Sequence, residues 1–83
     1  MAIANRELDR ALQRRFALFD RLGVLDRRGM HLVDPWPIGA SLGMTQEETG
    51  RALATLEGVG WIARFAQEGG ERVALTAQGL TRR

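Results

Sequence analysis

The sequence predicts an α+β fold in which a three-helix core is followed by a small antiparallel β-sheet. Three observations support this prediction. Residues 6–22 contain neither Gly nor Pro and carry apolar residues at helical spacing. Thr45 and Glu48 have the spacing of a capping box, which marks the start of another helix. Two short apolar stretches that flank Gly69 and Gly70 have the pattern of a β-hairpin.

Length and composition agree with one folded domain, residues 1–83. Of the 83 residues 45% are hydrophobic, which is enough for an apolar core of its own. The chain contains no Cys, so disulfides and thiolate metal ligands are excluded. No apolar stretch reaches the ~20 residues of a membrane span, and no signal peptide is recognisable. We therefore expect a cytoplasmic protein without a membrane partner.

The first helix is predicted over residues 5–22, with Asn5 as its N-cap and Gly23 as the residue that ends it. On a helical wheel its apolar residues form one broad arc, which we expect to pack on the rest of the domain. This arc contains Leu8, Ala11, Leu12, Phe16, Leu18, Phe19 and Leu22. Arg15 falls inside the arc, so its guanidinium must extend to water or pair with an acid.

The middle of the chain predicts a helix-turn-helix over residues 35–57. A short strand is expected before it, at residues 30–33, because a turn signal is followed there by an extended apolar piece. Asp34 is placed to cap a very short helix that starts near two prolines and stops at Gly43.

A third helix is predicted over residues 46–57, directly after the capping Thr45. A wheel gives four residues an inward orientation: Thr49, Ala52, Leu53 and Leu56. Its outward face consists of Glu47, Gly50, Arg51 and Ala54, with Gln46 and Thr55 at the edges.

The last third of the chain predicts a β-hairpin over residues 61–76. Arg64 and Arg72 lie on its two strands, where we expect them to be cross-strand neighbours. They would flank an acidic turn formed by Glu68 and Glu71. Either arginine therefore has an acid nearby with which it can form a surface ion pair instead of binding a partner.

The order of these elements resembles the winged helix-turn-helix domain of MarR-type and related bacterial transcriptional regulators. Residues 38–56 look like their helix-turn-helix pattern. Residues 56–62, Leu-Glu-Gly-Val-Gly-Trp-Ile, resemble their Leu-Glu-x-x-Gly-Leu-Ile segment. Residues 73–79, Val-Ala-Leu-Thr-Ala-Gln-Gly, are similar to the Leu-Thr-x-x-Gly that closes their wing. The resemblance covers about residues 30–79 and implies a winged helix whose partner is duplex DNA.

The resemblance also implies which residues contact DNA, because the third helix of such domains enters the major groove. There Arg51 would bind guanine and Glu47 would accept a hydrogen bond from a cytosine amine. Ala54 would contact a thymine methyl. Gln46 would pair with adenine. The residues expected at the DNA are Thr45, Gln46, Glu47, Gly50, Arg51, Ala54, Thr55, Arg64 and Arg72, the last two as phosphate contacts.

The charge distribution argues against tight DNA binding by a monomer. All 12 cations are Arg, and the net charge is +3 in residues 1–29 but −1 in residues 30–83. Phosphate neutralisation supplies most DNA affinity, and the predicted reading half has no net positive charge with which to supply it. Two explanations remain open: a homodimer formed through the first helix, or a protein-interaction module that receives an acidic partner. The arginines expected at such an interface or at flanking phosphates are Arg10, Arg14, Arg15, Arg27 and Arg28.

Catalysis and cofactor binding are not expected. The sequence has one His, no Tyr and no acidic cluster in a catalytic context. A metal site would need His31 to gather ligands with Asp26 or Asp34. We expect instead that His31 caps or lines a strand.

Overall fold

A computed structural model describes the backbone of residues 2–82 and the side chains of residues 12–82. Within that part of the chain there are four helices and one two-stranded antiparallel sheet, which confirms the α+β class. The elements are α1 (Ala2–Arg27), α2 (Pro35–Ser41), α3 (Gln46–Gly58), β1 (Ile62–Gln67), β2 (Gly70–Leu75) and α4 (Ala77–Thr81). Among the helices so described, none is both long and apolar enough to cross a membrane.

Helix α1 extends beyond both of its predicted ends. Asn5 lies within the helix and is not its N-cap. The helix also continues through Gly23, which is buried, and ends at Arg27. A Gly inside a helix costs about 1 kcal/mol relative to Ala, and the tertiary packing around Gly23 outweighs this cost. The chain leaves the helix at Gly29, which has a φ of +88° and donates its amide to the carbonyl of Asp26 at 3.0 Å. The glycine that ends the helix is thus the one in the left-handed conformation.

The short strand predicted at residues 30–33 is reduced to a single bridge. Val33 and Val73 exchange two backbone hydrogen bonds, of 3.0 and 2.8 Å. Pairing goes no further because the chain turns directly into α2. Asp34 caps that helix as predicted, since its carboxylate accepts from the amide of Trp36 at 3.1 Å.

Helices α2 and α3 follow the sequence prediction closely. The hydroxyl of Thr45 accepts from the amide of Glu48 at 3.0 Å, and the Glu48 carboxylate accepts from the amide of Thr45 at 2.9 Å. This capping box fixes the start of α3. The four residues predicted to face inward, Thr49, Ala52, Leu53 and Leu56, are all buried. The two helices approach closely at Gly39, where an added Cβ would lie 2.1 Å from the Thr49 hydroxyl oxygen.

The hairpin has a register that the sequence prediction missed. Arg64 pairs with Val73 and Phe65 pairs with Arg72, so the two arginines lie on opposite faces of the sheet. The expectation that they are cross-strand neighbours is therefore wrong. Strand β1 ends at Gln67 and β2 begins at Gly70, so the loop has two residues, and loop length sets which residues face each other.

The short helix α4 closes the described chain and brings the number of helices to four. Thr76 caps it by accepting from the amide of Gly79 at 3.0 Å. The same hydroxyl donates to the carbonyl of Gly60 at 2.5 Å, which ties this end of the hairpin to the turn after α3.

The core lies between the C-terminal half of α1, helix α3 and one face of the sheet. Its buried apolar residues are Leu18, Phe19, Leu22, Val33, Met44, Ala52, Leu53, Leu56, Ile62 and Val73. The prediction that the whole apolar arc of α1 packs inward is wrong for two of its members. Leu12 and Phe16 are exposed, and Phe16 retains 57% of its surface. The side chains of Leu8 and Ala11 lie outside the described residues.

Candidate nucleic-acid interface

The outward face of α3 carries the side chains that the helical wheel placed there. Glu47, Arg51 and Ala54 are exposed, and so are Gln46, Thr55 and the capping Thr45. Because the opposite face of the helix is anchored in the core and its first turn is capped, these side chains project from a rigid support.

Gly50 differs from the other residues of this face because it is half-buried beside an aromatic ring. An added Cβ at Gly50 would lie 3.6 Å from the nearest ring carbon of Trp36. Trp36 is half-buried and packs against the core. The surface at this point is therefore formed by the helix backbone and the indole edge together.

Arg51 forms an ion pair with Glu47, one turn earlier on α3. The two side chains are 70% and 72% exposed, so water screens their attraction. Exposed pairs of this kind contribute at most about 1 kcal/mol. The guanidinium of Arg51 can thus exchange Glu47 for another acceptor at little cost.

Arg14 and Glu48 form a second ion pair, which joins α1 to the start of α3. The backbone amide of Thr45 lowers the pKa of Glu48 from its ordinary value of 4.5, burial opposes this shift, and the charge of Arg14 adds to it. Because this pKa is lowered, Glu48 stabilises the fold fully at pH values above 4.5. The stabilisation is lost as the pH falls through the pKa of the folded state. The sequence predicts Arg14 at a partner or at a flanking phosphate, but in the structure its guanidinium is paired with an acid of the same domain.

The hairpin arginines are also engaged within the domain. Arg64 donates two hydrogen bonds of 3.0 Å to the Glu71 carboxylate. Arg72 donates to the carbonyl of Glu71 at 2.9 Å and lies 3.7 Å from the carboxylate of Asp34. Both guanidinium groups would have to exchange these contacts in order to bind phosphate.

A partly exposed apolar surface lies where α1 passes the end of α3. We define this apolar surface as Leu12, Phe16, Val59 and Trp61, which line a groove of about 140 Å³. On its other side Phe16 lines a second groove, of about 540 Å³. Sequence reasoning found Leu12 and Phe16 through their helical spacing. It missed Val59 and Trp61, because only the tertiary fold brings them beside α1.

The remaining arginines expected at an interface differ in their surroundings. Arg27 and Arg28 are exposed near the end of α1, whereas Arg15 is half-buried beside the apolar surface. Its position suits a side chain that covers apolar groups with its stem and keeps its guanidinium in water. The side chain of Arg10 lies outside the described residues.

His31 neither caps nor lines a strand, contrary to the sequence prediction. Its Nδ1 lies 2.6 Å from the carboxylate of Asp26, and the ring is exposed. Across residues 12–82 no group of three or more His, Asp or Glu side chains is arranged to hold a metal ion.

Comparison with known proteins gives no relative on which to base a function. No family model, curated protein or solved structure matches the chain.

Proposed function

We propose that the chain is a winged helix-turn-helix domain that binds duplex DNA sequence-specifically, as a homodimer, and regulates transcription. In this assignment α2 and α3 form the helix-turn-helix and the β1–β2 hairpin is the wing. The observation that carries the proposal is the exposed face of α3, which presents Gln46, Glu47, Arg51 and Ala54 from a capped and anchored helix.

The chemistry of this face suits base edges in the major groove. Arg51 is the side chain best suited to guanine, since its fork can donate to O6 and N7 together. Its present partner, Glu47, is an acceptor for a cytosine amine and is released when Arg51 turns to a base. Near Gly50 the helix carries no side chain, so that the backbone and the Trp36 ring edge can approach the groove closely.

A homodimer would raise the affinity of a domain in which Arg14, Arg64 and Arg72 are engaged in internal ion pairs. The exposed ring of Phe16 lies between two grooves of the same copy. In a dimer the Phe16 ring of each copy can therefore insert into a groove of the other. The larger groove is also lined by Asp20 and Arg27, whose opposite charges can meet across a two-fold axis. A dimer doubles every DNA contact and presents two copies of α3 to successive turns of the duplex.

Arg51→Ala is expected to relax the base preference at one base pair per half-site and to weaken binding by about 1–3 kcal/mol. The preferences at other positions should persist because each base pair is read by its own contacts. The measurement is binding to every single-base variant of a duplex obtained by selection from random sequences. Arg21→Ala is the matched control, since Arg21 is an exposed arginine of α1 outside the reading face. Equal effects of the two substitutions at every base pair would contradict the role of Arg51.

A further inference from the structure

A small polar cavity lies between α1 and the N-terminal half of α3. Its lining residues are Arg14, Arg15, Met44, Glu48 and Arg51, and we call it the arginine cavity. Its volume of about 110 Å³ is room for several water-sized groups. Because Arg51 belongs both to this cavity and to the outward face of α3, the cavity opens beside the proposed reading surface.

The cavity has an excess of positive charge. Three arginines line it against one acid, Glu48. Arg14 neutralises Glu48, and Arg51 is paired with Glu47 on the exposed side of the helix. Within residues 12–82 Arg15 forms no ion pair, so it is the lining arginine that has no acidic partner.

We propose that the arginine cavity holds one backbone phosphate of the bound duplex, with Arg15 as its principal ligand and Arg14 beside it. The guanidinium fork matches two phosphate oxygens, which makes Arg better suited than Lys to such a site. Glu48 lines the cavity at α3 and Glu47 is exposed beside Arg51, so the arginines without a competing acid are on the α1 side. This inference rests on the proposed DNA binding and names a contact that the base-reading residues do not supply.

The site gives a role to two arginines of the basic helix α1, Arg14 and Arg15. The half of the chain that contains α3 is acidic, but α1 crosses it and brings Arg14 and Arg15 to the first turns of α3. A phosphate bound there fixes the position of α3 along the groove, which is the usual role of backbone contacts. The basic helix thereby supplies the electrostatic contact and α3 supplies the base contacts.

Arg15→Gln tests the site through the salt dependence of binding. Each neutralised phosphate contributes about 0.9 to the slope of log affinity against log salt, so this slope should become smaller by about 0.9 per protomer. Base preferences should stay unchanged, because a phosphate carries no sequence information. Arg21→Gln removes the same charge from the same helix away from the cavity and should leave the slope as it is.

Further arms separate the possible failures. Arg15→Lys keeps the charge, so it should retain the wild-type slope while binding more weakly through loss of the fork. A wild-type domain that binds duplex while Arg15→Gln keeps the full slope would overturn the cavity site and leave the proposed function intact. A wild-type domain that binds no duplex would overturn both.

NMR titration with inorganic phosphate should shift the Glu48 and Arg51 amides in the wild type and not in Arg15→Gln. Such shifts without any change in the duplex slope would assign the cavity to free phosphate and overturn the duplex contact.

Discussion

Gly39→Ala is expected to destabilise the domain by about 3 kcal/mol, the upper part of the usual range for overpacking a core. The added Cβ would lie 2.1, 2.7 and 2.9 Å from the Oγ1, Cγ2 and Cβ atoms of Thr49. Thr49 is buried and its hydroxyl donates to the carbonyl of Thr45, so it has no free space into which to turn. Denaturant unfolding measures the effect as a lower midpoint at an unchanged slope.

Two further variants show whether close helix packing is the cause. In Gly58→Ala the new methyl meets no atom within 4 Å, so the stability should stay the same or rise by about 0.5 kcal/mol. Thr49→Ala in the Gly39→Ala background removes two of the three clashing atoms and should recover part of the loss. If Gly39→Ala unfolds at the wild-type midpoint, α2 and α3 do not pack as described.

Phe16→Asp is expected to convert a dimeric domain into a folded monomer. Phe16 is 57% exposed in the isolated chain, so its replacement leaves the core intact. In the dimer that we propose, the same ring fills a groove of the second copy, and loss of such an aromatic anchor weakens association by about 2 kcal/mol or more. The measurement is the mass in solution by sedimentation equilibrium, together with the thermal unfolding of the variant.

Phe65→Asp provides the matched control for this substitution. Phe65 is 45% exposed, lies on β1 and is not part of the apolar surface around α1. The variant carries the same change of ring to carboxylate and should remain dimeric. A wild-type domain that is monomeric at micromolar concentration, or a Phe16→Asp variant that remains dimeric, would contradict the interface.

Where local signals were sufficient, the sequence predicted the structure well. The capping box at Thr45 and Glu48 determined the start of α3, and the apolar spacing then determined which side chains of that helix face the core. Asp34 was similarly recognisable as a cap, because it precedes two prolines at the start of a short helix. Each of these features depends on residues within one or two turns of each other.

The remaining features depend on contacts that are distant in the sequence. Whether Gly23 or Gly29 ends α1 depends on how α1 packs, because a buried glycine can continue a helix. The faces on which Arg64 and Arg72 lie depend on the length of the two-residue loop. A loop longer or shorter by one residue would shift the register and place both arginines on the same face of the sheet. The arginine cavity joins side chains of α1 and α3, so no local pattern indicates that Arg15 and Arg51 line the same space.

The ion pairs also alter the interpretation of the charge pattern. Arg14, Arg64 and Arg72, which the sequence assigned to a partner, hold the domain together through Glu48, Glu71 and Asp34. These three arginines are therefore less available to DNA in one copy. Five others form no ion pair within residues 12–82: Arg15, Arg21, Arg27, Arg28 and Arg82. In the dimer that we propose, each copy would contribute a small number of DNA contacts.

The most direct test of DNA binding is a selection of duplexes from random oligonucleotides by the wild-type protein, followed by titration of the selected duplex at several salt concentrations. The proposed function predicts enrichment of two related half-sites whose centres are about 10 base pairs apart, and an affinity that falls steeply as salt rises. Absence of any enriched sequence, with no salt-sensitive binding to duplex DNA, would contradict it.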